Sequence, residues 1–456
     1  MTPPRARRAA RLGLGPALAL ALARRAARLG PALALAAGLA AGCRGDRPDP
    51  RDRGAVTFVG WGGPEERALV ERALRAFARD NPDLRVTYTQ VPGGGYDYLN
   101  KLRMMIAGGV APDAFYVPDG AFGELVSRGL LLPLDPLVAA GGAFRPAEVW
   151  PTALDRYRWD GARLHRGGLY CLPKDVGPLA MFYNKDALRA RGVPAPDPER
   201  PLGWAEALAF WRALASGDGP GTRYGVTGFP YEAAVWSSGA EVLSDDKRQW
   251  VLDRPAAAEA VQRCADLYAA HRVAPMAPYG SGPGPAQLFE AQAAATHIDG
   301  RWMVPRFRRL PFDWDVAPVP AAREGAPSVT WSGSVGLGVY AKSPRPASAF
   351  RLVAFLASRA GQALLSEAGF QVPNQIDLAG AEAYRQAGLR PEHPGVFVAA
   401  LATSRPGPWT DTPDTFWHDV FWNVTGPVWR GERRAAELLP EVAPLINRAL
   451  RENNPP

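Results

Sequence analysis

Apolar positions along the chain recur with two alternating periods. Val56-Thr57-Phe58-Val59 is a β-branched and aromatic run that Gly60-Trp61-Gly62-Gly63-Pro64 interrupts. From Glu65 onward, Leu69, Val70, Ala73, Leu74 and Phe77 fall at helical spacing. The segment therefore predicts strand, loop and helix. Asn81-Pro82-Asp83 closes the helix, and Leu84, Val86 and Tyr88 alternate as a second strand. A helix over 97–107, the breaker Gly108-Gly109 and a third strand over 113–117 follow. The alternation resumes after Pro173, with a strand over 179–183 and a helix over 204–214, separated by a loop that holds four prolines within 194–201. A second unit thus begins near Lys174, and a strand over 335–340 and a helix over 347–356 repeat the style of the first. Such alternation predicts an α/β fold with a mainly parallel sheet covered on both faces. Ligands of such sheets sit at the carboxyl ends of the strands. The loops at 60–65 and 118–120 are the ones to watch.

The first 42 residues differ from the rest: seven arginines, no acid, and an Ala- and Leu-rich run over 29–42, too short to span a bilayer comfortably but right for a signal-peptide core. The octet ARRAARLG at 6–13 recurs at 23–30, a duplicated targeting segment or a start codon placed too early. Small residues Ala40-Ala41-Gly42 stand directly before Cys43, and the polar, Pro-containing stretch 44–54 follows as a flexible leash. This is similar to the lipobox of bacterial lipoproteins, whose cysteine is lipidated and becomes the mature N-terminus. A plain signal peptide or uncleaved anchor is the alternative.

Length and charge narrow the function classes. With 456 residues, 47% of them hydrophobic, the chain has material for a sizeable core, and at about 100 to 200 residues per domain it predicts two or three compact units. The formal charge of +8 is misleading: outside the leader 46 basic residues face 45 acidic ones, so no basic stripe marks a nucleic-acid binder. None of the five lysines follows a glycine, which excludes a P-loop. The five histidines are scattered without a zinc-like spacing, and no GxSxG elbow occurs. Beyond Cys43 only Cys171 and Cys264 remain, too few for a disulfide scaffold, and whether they pair is left open.

Tryptophan is enriched instead, fourteen in all, several beside glycines in predicted loops: Trp61, Trp236, Trp302, Trp331 and Trp417. Sugars offer C–H patches that stack on aromatic faces and hydroxyls that need polar partners. Glu65, Asp119, Asp299 and Arg301 stand near those tryptophans and could supply the polar half.

At this point the chain resembles the extracellular solute-binding proteins of bacterial ABC importers, in the carbohydrate-type group that includes maltose-binding protein. The resemblance rests on the stretch from Leu172 to Lys185 (LPKDVGPLAMFYNK), on Ala111-Pro112-Asp113, Trp204-Ala205-Glu206, Asp299-Gly300-Arg301-Trp302, Gly336-Leu337-Gly338-Val339 and Phe416-Trp417, in matching order. It implies a two-lobed fold with a hinge and several chain crossings: a lipoprotein signal at 1–42, a leash at 43–54, lobe one over 55–173 plus 324–361, and lobe two over 178–318 plus 365–450. It further implies that Trp61, Glu65 and Asp119 line the rim of lobe one, and Trp236, Trp302 and Trp417 that of lobe two. Asp175 falls at the first crossing and Trp331 just before the late lobe-one strand. Where maltose-binding protein has an aromatic residue in its third-strand loop, this chain has Val117-Pro118, which argues against maltose itself. The implied function is non-enzymatic: a monomeric, exported, lipid-anchored protein facing the periplasm or the extracellular space. It captures a sugar for an ABC permease, with no cofactor and no metal. The alternatives are the same fold binding glycerol-3-phosphate, a polyamine or a chelate, and a surface carbohydrate-active enzyme.

Overall fold

The computed structural model describes residues 54–92, 94–217, 221–275, 283–412 and 420–453. The leader, Cys43 and Trp417 lie outside the described residues. Three parallel strands open the fold: β1 (Gly54–Trp61), β2 (Leu84–Val91) and β3 (Ala114–Pro118). Val56, Phe58 and Val59 of β1 are buried, as their β-branched and aromatic character requires. The helix Pro64–Asp80 follows β1. Its first turn carries Pro64 at the position where proline's missing N–H costs nothing, and Glu65 and Glu66 where the helix dipole favours acids. Its apolar stripe Val70, Ala73 and Phe77 packs inward.

Next come a short hairpin, β4 (Arg158–Trp159) with β5 (Gly168–Leu169), then β6 (Cys171–Pro173) and the ten-residue β7 (Asp175–Asn184). The later strands are β8 (Tyr224–Thr227), β9 (Ala294–Gly300), β10 (Trp314–Ala317), β11 (Trp331–Gly333), β12 (Val335–Val339), β13 (Val372–Pro373) and β14 (Arg405–Pro406). They form two principal sheets. One has the order β2-β1-β3-β12-β6; the other runs β14-β11-β7-β9-β8, with β10 and β13 also paired to β7. Both belong to one compact unit, Arg51–Pro456.

The expected mainly parallel pairing holds for β1, β2 and β3. Around β7 it does not, since β9, β10, β11 and β13 all run antiparallel to it. β7 enters this sheet straight from β6 of the other sheet rather than through a strand–helix–strand crossover, so nothing imposes parallel pairing on it. β7 also explains its own sequence. Ala180 and Phe182 face one core while Leu179, Met181 and Tyr183 face the other, so a strand buried on both faces reads as an unbroken apolar run.

Two passages between the sheets are one residue long and lie side by side. Lys174 separates β6 from β7, and Ser334 separates β11 from β12. The Lys174 amide donates to the Val335 carbonyl (2.7 Å), and the Ser334 hydroxyl donates to the Asp175 carbonyl (2.6 Å). Gln371 adds a bond from its side-chain amide to the Lys174 carbonyl (3.1 Å), just before β13 joins β7. Cys171 and Cys264 are both buried and unpaired, in different cores. No helix among the described residues is long and apolar enough to cross a membrane.

Candidate functional site

The aromatic side chains gather where β7, β9 and β11 meet. Trp302 follows β9 in the turn Arg301–Met303, and its indole lies on the glycine backbone beneath it: a β-carbon added at Gly177 would come within 2.7 Å of its Cζ3. Trp331 on β11 is near-parallel to Trp302, with centroids 6.1 Å apart and planes at 17°. Trp409 stands at 80° to Trp331, 5.2 Å away, and its edge reaches Gly120 at the head of the helix Asp119–Ser127. All three rings are partly exposed. They make an apolar floor with one upright wall.

Beside this corner lies a cavity of ≈ 480 Å³ whose lining includes Gly228, Pro285, His297, Asp299, Arg306 and Trp331. Asp299 is partly exposed; one of its oxygens accepts the Gly300 amide (2.7 Å) and the other meets His297 Nε2 (3.1 Å). His297 is buried, and its Nδ1 faces the Thr227 hydroxyl at 3.0 Å. The imidazole therefore orients the carboxylate toward the cavity.

Asp119 and Asp175 have a different task. Asp119 accepts from the Arg156 guanidinium (3.1 Å) and from the Ser334 amide (3.1 Å). Arg156, itself buried, also donates to the carbonyl and hydroxyl of Ser332. Burial raises the Asp119 pKa, against the pull of Arg156 and the Gly120 and Ser334 amides. Asp175 accepts the Val335 amide (2.8 Å) and an ion pair from Lys174 (3.1 Å), which also binds Glu66 (3.1 Å) and sits 5.2 Å over the Tyr116 ring. Burial works against the Lys174 ammonium, but Glu66 and Asp175 outweigh it and its pKa is raised. Both aspartates thus hold the passage 332–335 in place, at the edge of the aromatic corner.

The other expected residues are spread out. Trp61 packs against Tyr98 and Tyr116 (4.8 and 5.2 Å) on the first sheet. Glu65 forms an exposed ion pair with Arg309, joining the helix after β1 to the chain before β10. Trp236 is buried in the helix Tyr231–Ser237, with Arg405 5.6 Å from its ring. Arg301 requires a correction: it is fully buried, stacked 4.1 Å over Tyr384 inside the core, and does not share the exposed corner with Trp302. In a 3₁₀ turn successive side chains diverge by about 120°, so neighbours in sequence point to different places.

Sequence reading missed Trp409, His297 and Arg156. Trp409 follows Gly407-Pro408, a loop flag of the same kind that drew attention to the other tryptophans. His297 carries no spacing signal at all. Arg156 meets Ser332 across 176 positions, which no local pattern encodes. Among the described residues one group has metal-ligating atoms in reach of one another: Asp315, Glu392 and His393, within 4.8 Å. Lys185 already supplies a cation there, 2.6 Å from Glu392 and 3.3 Å from Asp313.

The family described as bacterial extracellular solute-binding protein matches residues 62–363, more than half of the chain. This chain belongs to that family. A protein of Brucella abortus named as a binding protein is 28% identical over 201 residues, which spans 42% of this chain and 44% of that protein, less than half of the relative's length. Among solved structures, the ABC substrate-binding protein Lmo0181 of Listeria monocytogenes, solved with cycloalternan, superposes with a TM-score of 0.75 at 22% identity, covering 87% of this chain and 99% of that one. The GacH receptor of Streptomyces glaucescens, solved unliganded and with acarbose, gives 0.72 at 21% identity, over 88% and 99%. These likenesses establish the two-lobed fold of such binding proteins.

Proposed function

We propose that this protein captures a sugar or oligosaccharide between its two sheets and delivers it to an ABC permease, without chemical change. The observation that carries the reading is the corner of Trp302, Trp331 and Trp409 next to the His297-oriented Asp299 carboxylate. A pyranose ring presents an apolar C–H face that suits the indole floor, and a rim of hydroxyls that suits a carboxylate held with free lone pairs. Arg306 and Gln287 line the same cavity and offer donors. The structural relatives solved with cycloalternan and with acarbose support the ligand class. Titrating the purified protein with a panel of mono- and oligosaccharides should shift its tryptophan fluorescence and raise its melting temperature; a ligand at 100 times its Kd stabilises by about 2.7 kcal/mol. The bound sugar should be recovered intact after long incubation. Cleavage of the sugar would make the protein an enzyme, and a response to glycerol-3-phosphate or a polyamine with none to any sugar would overturn the ligand class.

The same reading places the protein outside the cytoplasm on a lipid anchor at Cys43, because small residues and an apolar stretch precede that cysteine and a polar leash follows it. Cys43→Ser should release the protein from the membrane fraction into the soluble exported fraction. Unchanged membrane association would replace the lipoprotein with a signal anchor.

A further inference from the structure

Behind Trp302 three guanidiniums gather, one fully buried and two partly exposed, and among the described residues no carboxylate pairs with them. Arg301 is fully buried, its guanidinium 4.1 Å from the Tyr384 ring centre and 5.8 Å from that of Phe397. It makes one hydrogen bond, from Nη2 to the Tyr384 carbonyl (3.1 Å). Its Nε and Nη1 have no partner among the described residues, and neither does the buried hydroxyl of Tyr384. Arg308 donates to the carbonyls of Arg390 (2.7 Å) and Ala368 (3.3 Å) and to the Gln386 side chain (2.5 Å). Arg390 in turn donates to the carbonyls of Phe312, Leu310 and Arg308. The acids near in sequence are committed elsewhere, Asp299 to His297 and the Gly300 amide, and Asp315 to His393. Burial lowers the pKa of Arg301, and burial followed by Arg301 and Arg390 lowers that of Arg308 to about 10.

A guanidinium does not give up its proton near neutral pH, so burial cannot neutralise it. Leaving it buried with unfilled donors and without counter-charge is among the costliest arrangements a core can hold. Two peptide carbonyls and one amide oxygen serve Arg308 well, and three carbonyls serve Arg390. Of the three, Arg301 alone keeps a charge and two open nitrogens, and the Tyr384 ring it stacks on carries an open phenol. Donors on two side chains, set among aromatic rings, suit a small spherical anion; a phosphate or sulfate would need more donors.

We propose that Arg301, together with the Tyr384 hydroxyl, binds a chloride-sized monovalent anion inside the core directly behind Trp302. The anion supplies the missing counter-charge, accepts from the phenol and from one of the two open Arg301 nitrogens, whose N–H bonds point apart, and thereby ties the turn Arg301–Met303 to the helix Glu382–Arg385. The turn that presents Trp302 is then braced from within, so the site acts on the aromatic floor without touching a solute.

Bromide is the probe, since it substitutes for chloride and scatters anomalously. Crystals of the purified protein soaked in bromide should show an anomalous peak at hydrogen-bond distance from Arg301 and Tyr384. In solution, melting curves in sodium chloride against sodium gluconate at equal ionic strength should differ by about 2 °C at saturating chloride. Arg301→Met should erase that difference. Tyr384→Phe, which keeps the packing, should fold in any case and raise the half-saturating chloride concentration several-fold. Water alone fills the site if bromide gives no peak there. The proposal also fails if the chloride effect persists unchanged in Tyr384→Phe and Arg301→Met.

Discussion

A single methyl group at Gly300 should weaken sugar binding tenfold or more. Gly300 has ordinary extended backbone angles, φ −88° and ψ 171°, so alanine brings no backbone strain. The three atoms nearest an added β-carbon all belong to the Trp302 indole, and they lie far inside normal contact distance. The methyl group can be accommodated only by moving that ring, and the ring is half of the near-parallel pair with Trp331. Trp302→Ala removes the same stacking face directly, at a cost on the order of 1 to 3 kcal/mol of binding. The two changes should not add: once Trp302 is alanine, the methyl at position 300 has nothing to strike, so the double variant should bind like Trp302→Ala alone. Affinities from fluorescence or calorimetry check this. Wild-type affinity in Gly300→Ala would remove Trp302 from the floor of the site.

The second large effect concerns stability. Arg156→Met should cost about 3 to 5 kcal/mol, because it strands the Asp119 carboxylate in a buried setting without its cation and frees the Ser332 carbonyl from its donor. The Asp119 pKa already lies above its ordinary value through burial, so its charged form is the one that burdens the fold. A carboxyl raised in the folded state binds its proton more tightly there than when unfolded. Its penalty is full above the folded pKa and lifts as pH falls through that value toward the unfolded one. Without Arg156 the pKa rises further, and the variant should regain stability on mild acidification relative to wild type. Asp119→Asn in the Arg156→Met background should restore part of the loss at neutral pH. Denaturant titrations of the four proteins of this cycle give the coupling, and a near-zero value would mean that the pair does not hold the passage at 332–335.

The strands and helices that frame the site were legible because their burial is periodic. The helix Trp204–Leu214 buries Trp204, Ala207, Trp211 and Leu214, and the helix Pro346–Ala357 spans the expected 347–356. Legibility failed where position depends on the far side of the fold. Asp119 read as a ligand contact because it follows a strand, and Asp175 because the resemblance puts it at the first crossing, yet both carboxylates are engaged by backbone amides at 334–335 and by cations. Arg301 read as a cleft residue because it adjoins Trp302. Only the turn geometry reveals that the two side chains separate into core and corner.

The two one-residue passages at Lys174 and Ser334 restrict how the halves of the molecule can move. Each is clamped at both flanks by ladder bonds, so only a few torsions are free, and because the passages lie side by side those torsions share one line. Torsions on one line favour a swing about that line, like a door on two knuckles, over sliding or twisting. The ammonium of Lys174 sits on this axis, bonded to Glu66 on a helix of one half and to Asp175 at the start of the central strand of the other. A swing between the halves would displace the outer rims most and this ion triad least, so the triad can stay paired at every angle.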